Sequence, residues 1–100
     1  MTIEWIKCPP DSVELRLEGK LDTISAPAAR DELLKATEEF QNLTLNFEQV
    51  PYISSAGLRA LLTVQKQVKH LGGTLTLTKV APAVLEVLRL TGFSGVLNIE

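Results

Sequence analysis

The spacing of apolar residues changes abruptly near the middle of this chain, and that change limits the fold more than any other feature. Leu43, Leu45 and Phe47 alternate with Thr44, Asn46 and Glu48, the period-two pattern of a strand with one buried face. From Leu58 the spacing becomes helical: Leu58, Leu61, Leu62, Gln65, Val68 and Leu71 share a stripe, with Arg59, Thr63, Lys66 and Lys69 turned largely the other way. Between the two patterns lies Val50-Pro51-Tyr52-Ile53-Ser54-Ser55-Ala56-Gly57. A polar pair of serines thus sits where a strand hands over to a helix. At such a point, unpaired backbone N–H groups and the positive end of the helix dipole meet solvent or a partner.

Serine is a preferred N-cap residue, because its oxygen accepts from an orphan N–H two or three residues on, and either Ser54 or Ser55 can fill that role. A hydroxyl at a helix start is also where a phosphate is well tolerated, being surrounded by backbone donors.

The flanking segments fit one alternating scheme. Ile3, Trp5 and Lys7 point one way on a first strand, which Cys8-Pro9-Pro10-Asp11 breaks with turn residues. Val13, Leu15, Leu17 and Gly19 then alternate with Ser12, Glu14, Arg16 and Glu18, so the second strand of a hairpin keeps one charged, wet face. Gly19 marks a bend, and Asp22-Thr23 begins a polar loop in which Asp22 suits turn or cap chemistry. From Ser25 to Phe40 the pattern predicts a helix, with Pro27 in the first turn and Ala26, Ala29, Leu33, Leu34, Thr37 and Phe40 along its apolar stripe. Asp31 and Lys35 are an expected i,i+4 pair, worth about 0.2 to 0.5 kcal/mol. After the helix that ends at Leu71, Gly72-Gly73 is a stop signal, Thr74 to Thr78 a strand, and Ala81 to Leu90 a last helix closed by Gly92. The tail from Phe93 is apolar enough to dock, in a conformation that the pattern does not specify. The order strand, strand, helix, strand, helix, strand, helix implies an α/β fold: an initial hairpin, then parallel right-handed crossovers in a mixed sheet. Alternating strands favour helices mainly on one face.

Composition narrows the function. One hundred residues suit a single domain spanning 1–100, large enough to fold without metal or disulfide staples. The net charge of −2, with Lys and Arg interleaved among acids, argues against direct nucleic-acid binding. No apolar run approaches the ~20 residues of a membrane span, and the start Met1-Thr2-Ile3-Glu4-Trp5 lacks a signal-peptide pattern, so a cytoplasmic location is expected. Cys8 is the one cysteine and is expected as a small, partly buried hydrophobe. His70, equally isolated, falls in the last turn of a helix, where it complements the dipole; it has no second histidine with which to build a metal site. Hydrolase chemistry is disfavoured, because Gly-x-Ser-x-Gly is missing and the histidine lies a helix length from the serines. Nucleotide binding lacks both the Gly-x-x-x-x-Gly-Lys and the Gly-x-Gly-x-x-Gly signatures.

Ile53 to Leu58 followed by an apolar helix resembles the signature of the STAS domain family, and within it the small bacterial anti-sigma-factor antagonists. Gly19-Lys20-Leu21-Asp22 is similar to the family's Gly-x-Leu-Asp turn, and Leu90-Thr91-Gly92-Phe93 to its closing segment, so the resemblance covers nearly the whole chain. The family's serine loop usually runs Asp-Ser-Ser-Gly-Leu, and its first serine is phosphorylated by a kinase that doubles as the anti-sigma factor. Matching Gly57 and Leu58 to the last two places puts Ser55 on the phosphorylated serine, Ala56 on the second serine and Ser54 on the aspartate. Two positions depart, and a fixed negative charge beside the acceptor is lost. The resemblance implies a non-enzymatic module without cofactor that frees a sigma factor by binding an anti-sigma factor/serine kinase. A serine phosphatase would reverse the modification. Ser55 is the implied phosphorylation site, with Ser54 second, and Asp22 the acidic residue near it. Asp22, Thr23, Ser54, Ser55, Gly57, Arg59, Thr63 and Lys66, with Lys69 beside them, are the expected partner surface. Two alternatives remain within the fold: a scaffold subunit of a transporter or signalling complex without a phosphorylation cycle, and a nucleotide-binding module.

Overall fold

Alternation in the strands builds one continuous apolar face. The computed structural model describes all 100 residues, Met1–Glu100. β1 (Thr2–Cys8) pairs antiparallel with β2 (Ser12–Glu18), and β2 pairs in parallel with β3 (Asn42–Gln49). β3 pairs in parallel with β4 (Thr74–Thr78), and β4 with the two-residue β5 (Asn98–Ile99). The sheet order is β1-β2-β3-β4-β5. In this register Trp5, Leu15, Leu45, Leu77 and Ile99 form a single row across all five strands. The central three are fully buried.

Each parallel connection moves to the next strand in the same direction, so right-handed crossovers place α1 (Ala26–Glu39), α2 (Ser55–His70) and α3 (Pro82–Leu90) over that one face. Ala26, Ala29, Leu33 and Ala36 of α1, Leu58, Leu61, Val64 and Val68 of α2, and Val84 and Leu88 of α3 are buried in the shared core. Trp5 ties α1 to the hairpin: its indole N–H donates to Glu32 Oε2 at 2.7 Å, and its ring meets Phe40 edge-on at 6.5 Å. The opposite face of the sheet is uncovered and polar. There the Asn46 amide and Arg16 Nε donate to Glu14 Oε2 at 3.0 and 3.3 Å, and these partners, Asn46 foremost, hold the Glu14 carboxyl below the usual range.

Four expectations need correction. Cys8 is exposed rather than partly buried, because it shares the uncovered face with Glu4 and stands opposite Ser12 beside the turn of the hairpin. Leu71 lies past the end of α2, which stops at His70, and is half exposed. Asp31 pairs with the adjacent Arg30 at 3.2 Å instead of with Lys35. Phe40 is the C-cap of α1 rather than a helical residue, and Ala36 fills the stripe instead. Gly72, at φ +77°, turns the chain out of α2 in a backbone conformation that side-chain-bearing residues rarely adopt. The tail forms a 3-10 turn at Phe93–Gly95 before β5; Leu97 is buried, and Gln65 Nε2 donates to the Val96 carbonyl at 3.3 Å.

Candidate functional site

The site is built where the loop after β2 meets the loop after β3. Leu21 N–H donates to the Tyr52 carbonyl, and Ser54 N–H donates to the Leu21 carbonyl, each at 3.0 Å. Leu21 and Ile53 thereby form a parallel bridge, and both are buried. This two-rung ladder sets Asp22 and Thr23 beside the start of α2.

Asp22 holds the turn that leads into α1, as its residue type suggests. Its Oδ1 accepts from the backbone N–H groups of Ile24 and Ser25 at 3.0 Å each, and its carbonyl accepts from Ala26 N–H at 2.8 Å. The Ser25 hydroxyl closes the loop by accepting from Asp22 N–H at 3.0 Å and donating to the Lys20 carbonyl at 2.7 Å. The Ser25 N–H bond, helped by that of Ile24, holds the Asp22 carboxyl below the usual range, because these donors favour the charged form. Held in this way, the loop carries Ile24 at 90% exposure, a feature that the sequence reading missed.

The two serines divide the roles that either could have taken. Ser54, in extended conformation, is the N-cap: its Oγ accepts from Gly57 N–H at 3.3 Å and its carbonyl accepts from Leu58 N–H at 2.9 Å. It does the capping that an aspartate would do there, without the charge. Ser55 is the first helical residue; its hydroxyl makes no hydrogen bond and is exposed. Gly57 is buried directly against the Leu21 backbone.

From this corner a groove runs between α1 and α2. Its upper part, about 400 Å³, is lined by Thr23, Pro27 and Arg30 on one side and Ala56, Arg59 and Thr63 on the other. Its lower part is lined by Leu34 and Glu38 facing Thr63, Lys66, Gln67 and His70. Thr23, Arg59, Thr63 and Lys66 thus meet in one groove, whereas Lys69 is exposed but lies outside it. Arg30 belongs to the groove and was not expected. Small residues facing each other at Ala26, Ala56 and Ala60 are the one sequence signal that could have brought α1 against α2 at this level. α2 holds three cations and no carboxylate, so the rest of the chain carries a net charge of −5 against −2 for the whole. Arg59, Lys66 and Lys69 all lack an ion-pair partner. His70 is exposed in the last turn of α2, about 22 Å along the helix from Ser55, and cannot act as its base. No helix is long and apolar enough to cross a membrane.

Comparison with known proteins bears on the family and the fold. The family model for the STAS domain matches residues 6–100. The anti-sigma-B factor antagonist of Bacillus subtilis is 27% identical over 95% of this chain and 87% of its own length. A putative anti-sigma factor antagonist of Bordetella bronchiseptica, BtrV, is 32% identical over 83% of this chain and 72% of its own. Among solved structures, the anti-sigma factor antagonist SpoIIAA in its unphosphorylated form covers 99% of this chain and 87% of its own, with a TM-score of 0.76 at 19% identity. The Bacillus cell fate determinant SpoIIAA in the phosphorylated form covers 99% and 91%, with a TM-score of 0.75 at 19% identity. These last two likenesses concern the fold. With its mixed five-stranded sheet, its loop-to-helix corner and a family match over nearly its full length, the chain belongs to the STAS domain family.

Proposed function

We propose that this chain is an anti-sigma factor antagonist: a single STAS domain that binds an anti-sigma factor in the cytoplasm and releases it when Ser55 is phosphorylated. The observation that carries the reading is the division between the serines. Ser54 is committed to the helix cap, while Ser55 presents a free, exposed hydroxyl one residue on. A kinase can therefore reach Ser55 without unfolding the corner. The names of the Bacillus and Bordetella relatives support the partner class, and the existence of SpoIIAA in phosphorylated and unphosphorylated forms supports a switch.

The partner surface in this reading comprises Asp22, Thr23, Ser54 and Ser55 at the corner, continuing along Arg59, Thr63 and Lys66; Gly57, expected on that surface, is buried beneath it and holds the corner together instead. The unpaired cations of α2 suit an acidic face on the anti-sigma factor, which acts as the serine kinase, and a serine phosphatase restores the binding form. The role is regulated binding rather than catalysis. Purifying the protein with its bound kinase from native cells, adding ATP, and mapping the phosphopeptide tests the reading. Phosphate on Ser55 together with dissociation of the complex is the expected result. Phosphate on Ser54 instead, or a Ser55-phosphorylated protein that binds as tightly as before, overturns it.

A further inference from the structure

If Ser55 is the switch residue, the structure also bears on where its phosphate goes. Arg59 stands one helical turn beyond Ser55, at the i,i+4 spacing that brings side chains onto one face with Cβ atoms about 5–6 Å apart. Side chains on a helix lean toward its N-terminus, so Arg59 covers the surface over the turn that Ser55 begins. Both residues are exposed, and nothing competes for the guanidinium: Arg59 takes part in none of the four ion pairs of the molecule. Arg30, the other cation of the upper groove, is already held by Asp31 at 3.2 Å. The first turn of α2 contains no acidic residue, and Ser54 supplies an uncharged cap.

We propose that Arg59 is an internal clamp for phosphorylated Ser55. The guanidinium fork matches two phosphate oxygens, and the pairing stays within one helix, so no loop has to move. The proposal deepens the switch reading given above and rests on it for its biological meaning. Phosphorylation then changes the partner surface twice. It adds about −1.5 to −2 charges at the head of the groove, and it occupies the one unpaired cation of the upper groove. An acidic partner loses its attraction and meets repulsion at the same place.

The test needs neither partner nor kinase. The full chain carrying phosphoserine at residue 55, installed during translation, is titrated from pH 4 to 9 by phosphorus NMR. Pairing with Arg59 favours the dianion, so the second phosphate pKa should lie below that of Arg59→Gln by roughly 0.3 to 0.7 units at low salt, the size expected of an exposed ion pair. Arg59→Lys should recover only part of the shift, since an ammonium lacks the fork. Arg30→Gln should leave the titration unchanged. Arginine and glutamine have similar helix propensities, so Arg59→Gln should melt with the wild type. Coincident titration curves for the wild-type and Arg59→Gln proteins overturn the clamp, as does an equal shift caused by Arg30→Gln. Because residue 55 is phosphorylated by design, failure here leaves the switch reading untouched, and failure of that reading in cells leaves the clamp measurable.

Discussion

Gly57 lies so close to Leu21 that a Cβ built on it would stand 2.5 Å from the Leu21 carbonyl oxygen and 2.9 Å from Cγ of the same residue. That carbonyl cannot retreat, because it accepts from Ser54 N–H while Leu21 N–H donates to Tyr52. Alanine in place of glycine would gain about 1 kcal/mol of helix propensity, yet overpacking against fixed backbone costs about 1–3 kcal/mol. The second term should win. Gly57→Ala is expected to lower Tm by several degrees in a thermal melt, because about 1 kcal/mol corresponds to roughly 4–8 °C in a domain of this size. An unchanged or raised Tm would show that the two loops can separate.

Ser54 and Ser55 should differ sharply in what they contribute to stability. Ser54→Ala removes the bond to Gly57 N–H and should cost about 1 kcal/mol. Ser55→Ala touches an exposed hydroxyl without a partner and should stay within about 0.5 kcal/mol of wild type. Ser54→Asp should recover the loss of Ser54→Ala, since a carboxylate both caps the helix and complements its dipole. Urea melts of the three variants check the order.

The contrast between the serines marks where sequence reading stopped. Both are good cap residues, and only the hydrogen bond from Ser54 N–H to Leu21, contributed by a distant loop, decides between them. The sheet was legible because its alternation leaves one assignment of faces: Val13, Leu15, Leu17, Leu43, Leu45, Phe47, Leu75 and Leu77 are all buried as the pattern requires. Cys8 shows a residue-type preference losing to strand parity, since its even position set it beside Glu4 from the start. β5 has two residues and owes its existence to pairing with Thr76 and Leu77, so no local pattern could announce it. Arg30 escaped notice because membership of the groove depends on how α1 and α2 lie together.

The Asp22 carboxyl should make stability depend on pH in acid. Its pKa is depressed in the folded state, chiefly by Ser25 N–H, below the ordinary value of 3.8. A depressed carboxyl contributes stability that is fully present above the unfolded value and is lost as pH falls through the folded one. Asp22→Asn keeps an acceptor but no charge, and should be less stable than wild type at pH 5–8. The gap should close as pH drops below 3.8. A gap that persists unchanged to the lowest pH at which both proteins fold would assign the effect to shape rather than charge.

Arg59 and Lys66, unpaired and in one groove, should act mainly on the rate of association. Arg59→Glu and Lys66→Glu together are expected to slow binding to the co-purified anti-sigma factor by about tenfold or more at low ionic strength, with the difference shrinking as salt rises. Lys69→Glu, outside the groove, should have the smaller effect. Stopped-flow association rates at two salt concentrations decide this. On-rates for the double variant that equal wild type at low salt would remove the basic face of α2 from the interface.

Phosphorylation of Ser55 should block a surface without loosening the fold. The new group sits at the first position of α2, where the Ser55 and Ala56 N–H groups have no protein acceptor and the dipole favours negative charge. The cooperative melt should therefore survive, with Tm unchanged or slightly raised. A partner packed over Ser55 is in a different position, because it must desolvate the added charge as well as make room for it. Ser55→Asp should reproduce the direction of both effects at reduced size, its single charge being smaller than that of phosphate at neutral pH. Calorimetry of the modified protein beside partner titration separates the two: loss of binding together with loss of the cooperative transition would mean that release comes from unfolding rather than from a blocked surface.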